Sequence, residues 1–345
     1  MKVSALKKRI AQILFILAVL ALTANVIASK ILKNIAGNEL NDESANIINE
    51  AFLKDLNDFG LQKDWIIYKT ERISGSKLYS YNVKLPKDLP IPVVLSEIYG
   101  SFNINGISLK CLEKVIGGKS ILNIYSNNKL KLTAGFDYNK DIRRDAGNIG
   151  IIVYGLDNLN SKSQNEIINF PQSFVAVILP SKSAAQLDAN LLGNRKQYAI
   201  LLNDDIKDLE FQLSKSFSEY RLKTVVASIV GSFPDAAFFI IDDNSSLYSS
   251  PAFKIVKNEF LKRNIKLIRK SLQTFVPDGS SSEAKASFRH LVRKTHYGDN
   301  KIICINADDF DLLEPEIFSL IKVGYKFVNP TLIMNPGSRD IPLNP

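Results

Sequence analysis

The segment Asn148-Ile149-Gly150-Ile151-Ile152-Val153-Tyr154-Gly155-Leu156-Asp157-Asn158 constrains the fold more than any other. It is a β-branched run that ends in a small-residue turn and then polar groups, the pattern of a buried parallel strand opening onto a loop. Similar strands are readable at Phe174–Leu179, Tyr198–Asn203, Ala237–Ile241, Ile265–Ile268, Lys301–Ile305 and Lys326–Asn329. Helical spacing falls between most of them, around 182–192, 217–231, 251–262, 282–294 and 313–322. This alternation predicts an α/β domain with a parallel sheet, open or closed into a barrel. In such folds ligands and catalytic groups collect at the carboxyl ends of the strands. What stands at those ends therefore decides the function.

A chain of 345 residues has room for two domains and a leader. The formal charge of +9 invites a nucleic-acid reading, but its distribution opposes one. Lys2, Lys7, Lys8, Arg9, Lys30 and Lys33 lie in residues 1–34, where no acid occurs. The body of the chain is close to balanced, so no nucleic-acid partner is expected. Lys7-Lys8-Arg9 precede an apolar run from Ile13 to Leu22, which is the layout of an export signal. Two fates stay open for residues 1–29. Val26 and Ala28 before Ser29 suit cleavage of a signal peptide, whereas Ile10 to Ala28 is long enough to anchor the chain in a membrane if uncleaved. Either fate places the body outside the cytoplasm, periplasmic or membrane-anchored and facing the periplasm or exterior.

Residues 30–42 read as a polar linker and 43–140 as a small α+β domain. In that domain Ile47, Ile48, Ala51, Phe52, Leu56 and Phe59 recur at helical spacing. Alternating stretches follow at Trp65–Tyr68 and Lys77–Leu85, then a helix over Val93–Phe102 and strands near Ile107–Val115, Ser120–Tyr125 and Lys129–Phe136. Ser126-Asn127-Asn128 is a hairpin turn. Gly117-Gly118-Lys119-Ser120 echoes a phosphate loop, but it lacks the upstream glycine and a following helix, so it too reads as a hairpin turn. Cys111 and Cys304 are read as isolated buried thiols, although an exported protein is able to oxidise such a pair.

The order of segments in 148–335 resembles the divergent polysaccharide deacetylase family, a branch of the glycoside hydrolase/deacetylase barrel superfamily. The matching stretches are Ile149-Gly-Ile-Ile-Val-Tyr-Gly-Leu-Asp157, Asn169-Phe-Pro-Gln-Ser-Phe-Val-Ala-Val-Ile-Leu-Pro180, Tyr198-Ala-Ile-Leu-Leu-Asn203, Phe238-Phe-Ile-Ile-Asp-Asp-Asn-Ser-Ser-Leu-Tyr-Ser249 and the closing segment Glu316 to Pro330. The resemblance implies a deacetylase-like (β/α) barrel of about seven strands, with 336–345 as a tail. It also implies hydrolysis of acetyl groups on polysaccharide by a metal that activates water. A zinc site needs about three protein ligands and one open position. The family's paired aspartates after the first strand are here Tyr154 and Gly155. Its histidine after the third strand is here Asn203, followed by Asp204 and Asp205. Its second histidine segment has no histidine near Leu213–Phe217. His290 and His296 are six apart, on different faces of a helix, and read as solvated positions.

The family's metal site is therefore expected to be degenerate, with no cofactor. Candidates for a carbohydrate cleft are Tyr154, Asp157, Asn203, Asp204, Asp242, Asp243 and Asp308, all just beyond strand ends; Asp205 and Asp309 adjoin them. Tyr154 offers a ring to stack on a sugar, or else fills the interior. The carboxylates serve glycoside hydrolysis, bind a glycan ligand or a hard cation through oxygen ligands, or else cap the helices that follow. Three functions follow. The first is an exported protein that binds envelope polysaccharide. The second is an active deacetylase or hydrolase with a rearranged carboxylate site, using zinc or another divalent metal if it keeps the family's chemistry. The third is an envelope structural protein that touches no sugar.

Overall fold

The computed structural model describes residues 43–73, 76–103 and 106–334. The leader (1–29), the linker (30–42) and the tail (336–345) lie outside the described residues. Among the described residues no helix is long and apolar enough to cross a membrane. The chain divides into two compact units at Arg143 and Arg144.

In the first unit, helix α1 (43–58) buries Ala45, Ile48, Phe52 and Leu56, one stripe at helical spacing. That stripe packs with a five-stranded sheet in the order β1(Ile66–Ile73), β2(Ser76–Leu85), β5(Lys129–Tyr138), β4(Ser120–Ser126), β3(Ile107–Glu113). β2 and β5 run parallel, and the other pairs are antiparallel. A second helix, α2(Ile91–Ser101), begins at Ile91 because Pro92 sits in its first turn, where proline's missing N–H costs nothing. Asn127 and Asn128 have φ of 48° and 63°, the left-handed pair a two-residue hairpin turn requires. The Gly117–Ser120 segment lies in the β3–β4 connection, where Lys114 N–H donates to Lys119 at 2.7 Å. Cys111 corrects the expectation of buried thiols: it lies on the exposed strand β3, whereas Cys304 is buried, and both are free.

The second unit is a curled parallel sheet wrapped by helices. Its strands are β6(Asn148–Tyr154), β7(Val175–Ile178), β8(Gln197–Leu202), β9(Phe239–Ile241), β10(Leu267–Arg269), β11(Asn300–Asn306) and β12(Lys326–Val328). The order is β10-β9-β8-β7-β6-β11, and β12 pairs with the first half of β6, which β7 leaves open. Beyond β10 the chain turns through Lys270–Leu272 and reaches β11, where Phe275 bridges Cys304 in parallel. Cys304 N–H donates to Thr274 at 2.8 Å and Val276 N–H to Cys304 at 2.9 Å. One bent segment thus runs from the β10 edge of the curled sheet to its β11 edge.

Alternate strand residues face opposite ways. Ile149, Ile151 and Val153 of β6 join the large outer core beneath α3(Ser161–Ile168), α4(Ala184–Gly193), α5(Glu219–Ser232), α6(Ala252–Leu261), α7(Ser281–Arg293) and α8(Phe310–Val323). Ile152 and Tyr154 join a smaller inner core with Val175, Val177, Ala199, Leu201, Ile240 and Cys304. The lumen is filled, so any ligand must sit above it. The short helix α9(Pro330–Ile333) lies under β6, where Pro330 Cα would be 3.0 Å from a Cβ at Gly150.

Candidate functional site at the carboxyl ends of the strands

Tyr154 is the last residue of β6 and points into the lumen, 6% exposed. Its ring lies 5.0 Å from that of Phe275, tilted by 51°, within the inner core. Its hydroxyl donates to Gln273 Oε1, which also accepts from the Cys304 thiol at 3.2 Å. Burial drives the Tyr154 hydroxyl well above its ordinary range and the Cys304 thiol up to about 12, so both remain protonated donors at neutral pH. Gln273 Nε2 is buried without a hydrogen-bond partner.

Above this layer lies an ion pair. Lys270 Nζ donates to Asp242 Oδ2 at 3.3 Å and sits 5.9 Å from the centre of the Tyr154 ring. The sequence reading missed both Lys270 and Gln273, because it ended the strand at Ile268 and assigned no element before the loop at Pro277. The available signal was Thr274-Phe275-Val276, a short β-rich run that carries those side chains past the mouth.

The other carboxylates around the rim are held by neighbouring loops. Asp157 accepts the Leu179 N–H at 3.0 Å, joining the loop after β6 to the end of β7. Asp208 accepts the Lys182 N–H at 2.7 Å, joining the loops after β8 and β7. Asp204 accepts the Ser246 N–H at 2.7 Å and its hydroxyl at 3.1 Å, joining the loops after β8 and β9. Asp243 accepts the Ser271 N–H at 3.0 Å and also its hydroxyl, joining the loops after β9 and β10. Asp278 accepts from Asn306 at 3.0 Å, joining the β10–α7 connection to the end of β11. Asn203 folds a local turn by accepting the Asp205 N–H at 3.1 Å.

These contacts lace the rim from loop to loop. They extend the capping idea, since the oxygens cap neighbouring loops more than their own helices. Burial raises the Asp157 carboxyl, with its hydrogen bonds opposing that shift. At Asp243 burial also pushes upward, but the Ser271 bonds outweigh it and hold the carboxyl below its ordinary value. Asp308 is exposed and stands apart from the lacing. Asp309, one residue on, is raised by burial and by Asp278 and Asp308.

Whether these residues fit a divalent metal follows from the donors. Such an ion needs several converging unprotonated ligands. The mouth instead presents an ammonium, a protonated phenol and a protonated thiol, and the Asp242 carboxylate beside them already faces Lys270. Among the described residues no three histidine, cysteine, aspartate or glutamate side chains group to hold a metal. The residues do not fit. The two histidines are elsewhere: His290 is exposed on α7, and His296 lies beyond that helix, its Nδ1 2.7 Å from Asp145.

No family model matches the chain, and no curated protein matches it. Among solved structures it is similar to an uncharacterized protein from Agrobacterium tumefaciens, at 11% identity and a TM-score of 0.36, covering 55% of this chain and 90% of that one. It is similar to a CE4 family pseudoenzyme from Bacillus anthracis, at 10% identity and a TM-score of 0.39, covering 63% and 84%. It is also similar to the catalytic domain of a peptidoglycan N-acetylglucosamine deacetylase from Eubacterium rectale, at 10% identity and a TM-score of 0.38, covering 54% and 88%.

Proposed function

We propose that this chain is an exported, deacetylase-like carbohydrate protein that binds envelope polysaccharide at the barrel mouth without metal chemistry. The observation that carries this reading is the Lys270–Asp242 pair above the Tyr154–Gln273 bond, at the strand end where the resembling family is expected to hold its metal. Sugar hydroxyls both donate and accept, so a mouth edged by an ammonium, a carboxylate and the amides of Asn203 and Asn306 suits them. The laced rim supports binding because it fixes these groups before a ligand arrives. Export, or anchoring through residues 10–28, rests on the basic and apolar leader.

The test is retention of the full chain on insoluble peptidoglycan, with and without a chelator, together with Lys270→Met. Retention that survives the chelator and falls several-fold in the variant is expected. No retention at all, or retention that the chelator abolishes, overturns the reading. About one tightly held zinc per chain after purification without chelator overturns it as well.

A further inference from the structure

A second concave site lies on the flank of the barrel, between α6 and the strand β10. Its volume is about 300 Å³, and its lining includes Lys254, Lys257, Lys266 and Arg269 with no aspartate or glutamate. The sequence builds it simply. Helix α6 buries Ala252, Val256 and Phe260 against the barrel, which turns Lys254, Lys257 and Leu261 onto an adjoining stripe at i, i+3 and i+7. Lys266 precedes β10 and Arg269 ends it, and this strand ends the strand order on that side. One wall is aromatic: the Tyr248 and Phe253 rings pack at 4.5 Å with 43° between their planes.

None of these four cations forms an ion pair among the described residues. The acid of α6, Glu259, lies on the buried side and is held by Lys262 at 2.6 Å and Arg263 at 3.1 Å. Arg269 Nε is buried with no hydrogen-bond partner; the charge of this arginine helps to lower the Asp243 carboxyl, which Ser271 already binds. Like charges gathered around a concavity repel one another, and an anion placed there relieves that repulsion. The aromatic and aliphatic lining adds a surface for an apolar or ring-shaped body.

We infer that this flank cavity is a binding site for a small organic anion, a ring compound bearing a phosphate or carboxylate group. Its volume sits at the lower end of the ~300–1,000 Å³ usual for small-molecule pockets, which admits one compact aromatic ring system and its charged group. The site shares no lining residue with the Lys270–Asp242 pair of the mouth, although Ile241 and Arg269 directly precede that pair in the chain.

The experiment titrates the full chain with 1-naphthyl phosphate, 1-naphthoate, 2-naphthol and inorganic phosphate at low and high salt, by calorimetry. Binding of one or both ring anions, weakened by salt, is expected. The double variant Lys254→Gln, Lys257→Gln should weaken it about tenfold, since two partly exposed charges are lost. The distant control Lys162→Gln should leave it unchanged. The stronger of the two ring anions identifies the preferred charged group. Failure of both to bind at low salt overturns the inference, as does binding that the double variant leaves intact. Equal binding of inorganic phosphate or of 2-naphthol also overturns it, because either would mean that charge and ring are not read together.

Discussion

The two ends of the barrel are made differently. At the carboxyl ends of the strands, long-range hydrogen bonds from aspartates tie loop to loop, and an ion pair sits over buried polar groups. At the amino ends, space is what is controlled. A Cβ on Gly147 would lie 2.5 Å from the His296 carbonyl oxygen and 2.8 Å from that of Asp299. Packed backbone has no freedom to answer a new side chain, whereas a hydrogen-bonded rim can lose one bond and keep the rest. The base thus reads as the tightly packed end and the mouth as the hydrogen-bonded end that carries the polar groups, the division usual in β/α barrels.

The largest expected effect breaks that contrast at the base. Gly147→Ala should destabilise the barrel by about 3 kcal/mol, the upper part of the usual overpacking cost, because two of its three close neighbours are main-chain oxygens and the third is the β-branched Thr295 side chain. Chemical denaturation monitored by circular dichroism would show it. A loss below about 0.5 kcal/mol would mean that the 295–299 turn moves aside freely and that the base is not the rigid end.

A smaller effect is expected in the mouth. Tyr154→Phe removes one hydrogen bond but leaves the Cys304 thiol on Gln273 Oε1, so the cost should be about 1 kcal/mol. Asp243→Asn should cost a similar amount, about 1 kcal/mol, by weakening the tie to Ser271. Its pH dependence has a definite sign. The folded carboxyl is held below its ordinary value of 3.8, so its stabilisation is present above that value and is lost as pH falls through the depressed one. Denaturation of wild type and variant at successive pH values should converge on the acid side. Parallel curves throughout would remove Asp243 from the lacing.

How far the sequence revealed this molecule follows the same division. The strands were legible because β-branched runs such as Ile149–Val153 and Val175–Ile178 are buried on both faces and need no partner to be recognised. Helix α3 was not, since Ser-Lys-Ser-Gln-Asn-Glu-Ile-Ile shows only two apolar residues, both at its end; its cap, Asn160, was the usable signal. The pairing of Phe275 with Cys304 was hidden because it depends on a bend at Lys270–Leu272 that brings distant segments together. Acidic residues at strand ends were visible as a class. Their partners were not, since an aspartate that accepts a main-chain N–H from another loop leaves no trace in either sequence. In the small domain the parallel pairing of β2 with β5 was equally invisible, because strand order is set by the crossover through α2.

The smallest expected effect sharpens the comparison from the base. Asp145 precedes β6 and His296 precedes β11, and their side chains meet where those two strands begin. The carboxylate also accepts the Tyr297 N–H at 2.9 Å. The hydrogen bond to Asp145, then the charges of Asp145 and Asp299, raise the His296 imidazole above its ordinary 6.5. The Tyr297 and His296 hydrogen bonds hold Asp145 below its ordinary 3.8. For the histidine, the stabilisation is fully present below about 6.5 and fades as pH rises through the raised folded value. For the aspartate, it is present above about 3.8 and fades as pH falls through the depressed value. Between those limits both groups are charged and the two strand starts are pinned together. The pair is exposed and screened by solvent, so its effect should be local, not global. Proton NMR of the imidazole in a His290→Gln background reads one histidine only. Asp145→Asn should then move its titration midpoint down toward 6.5 and speed amide exchange at Asn148, whose N–H donates to Asp299 at 2.9 Å. An unmoved midpoint would show that the Asp145–His296 contact adds no charge interaction to the base.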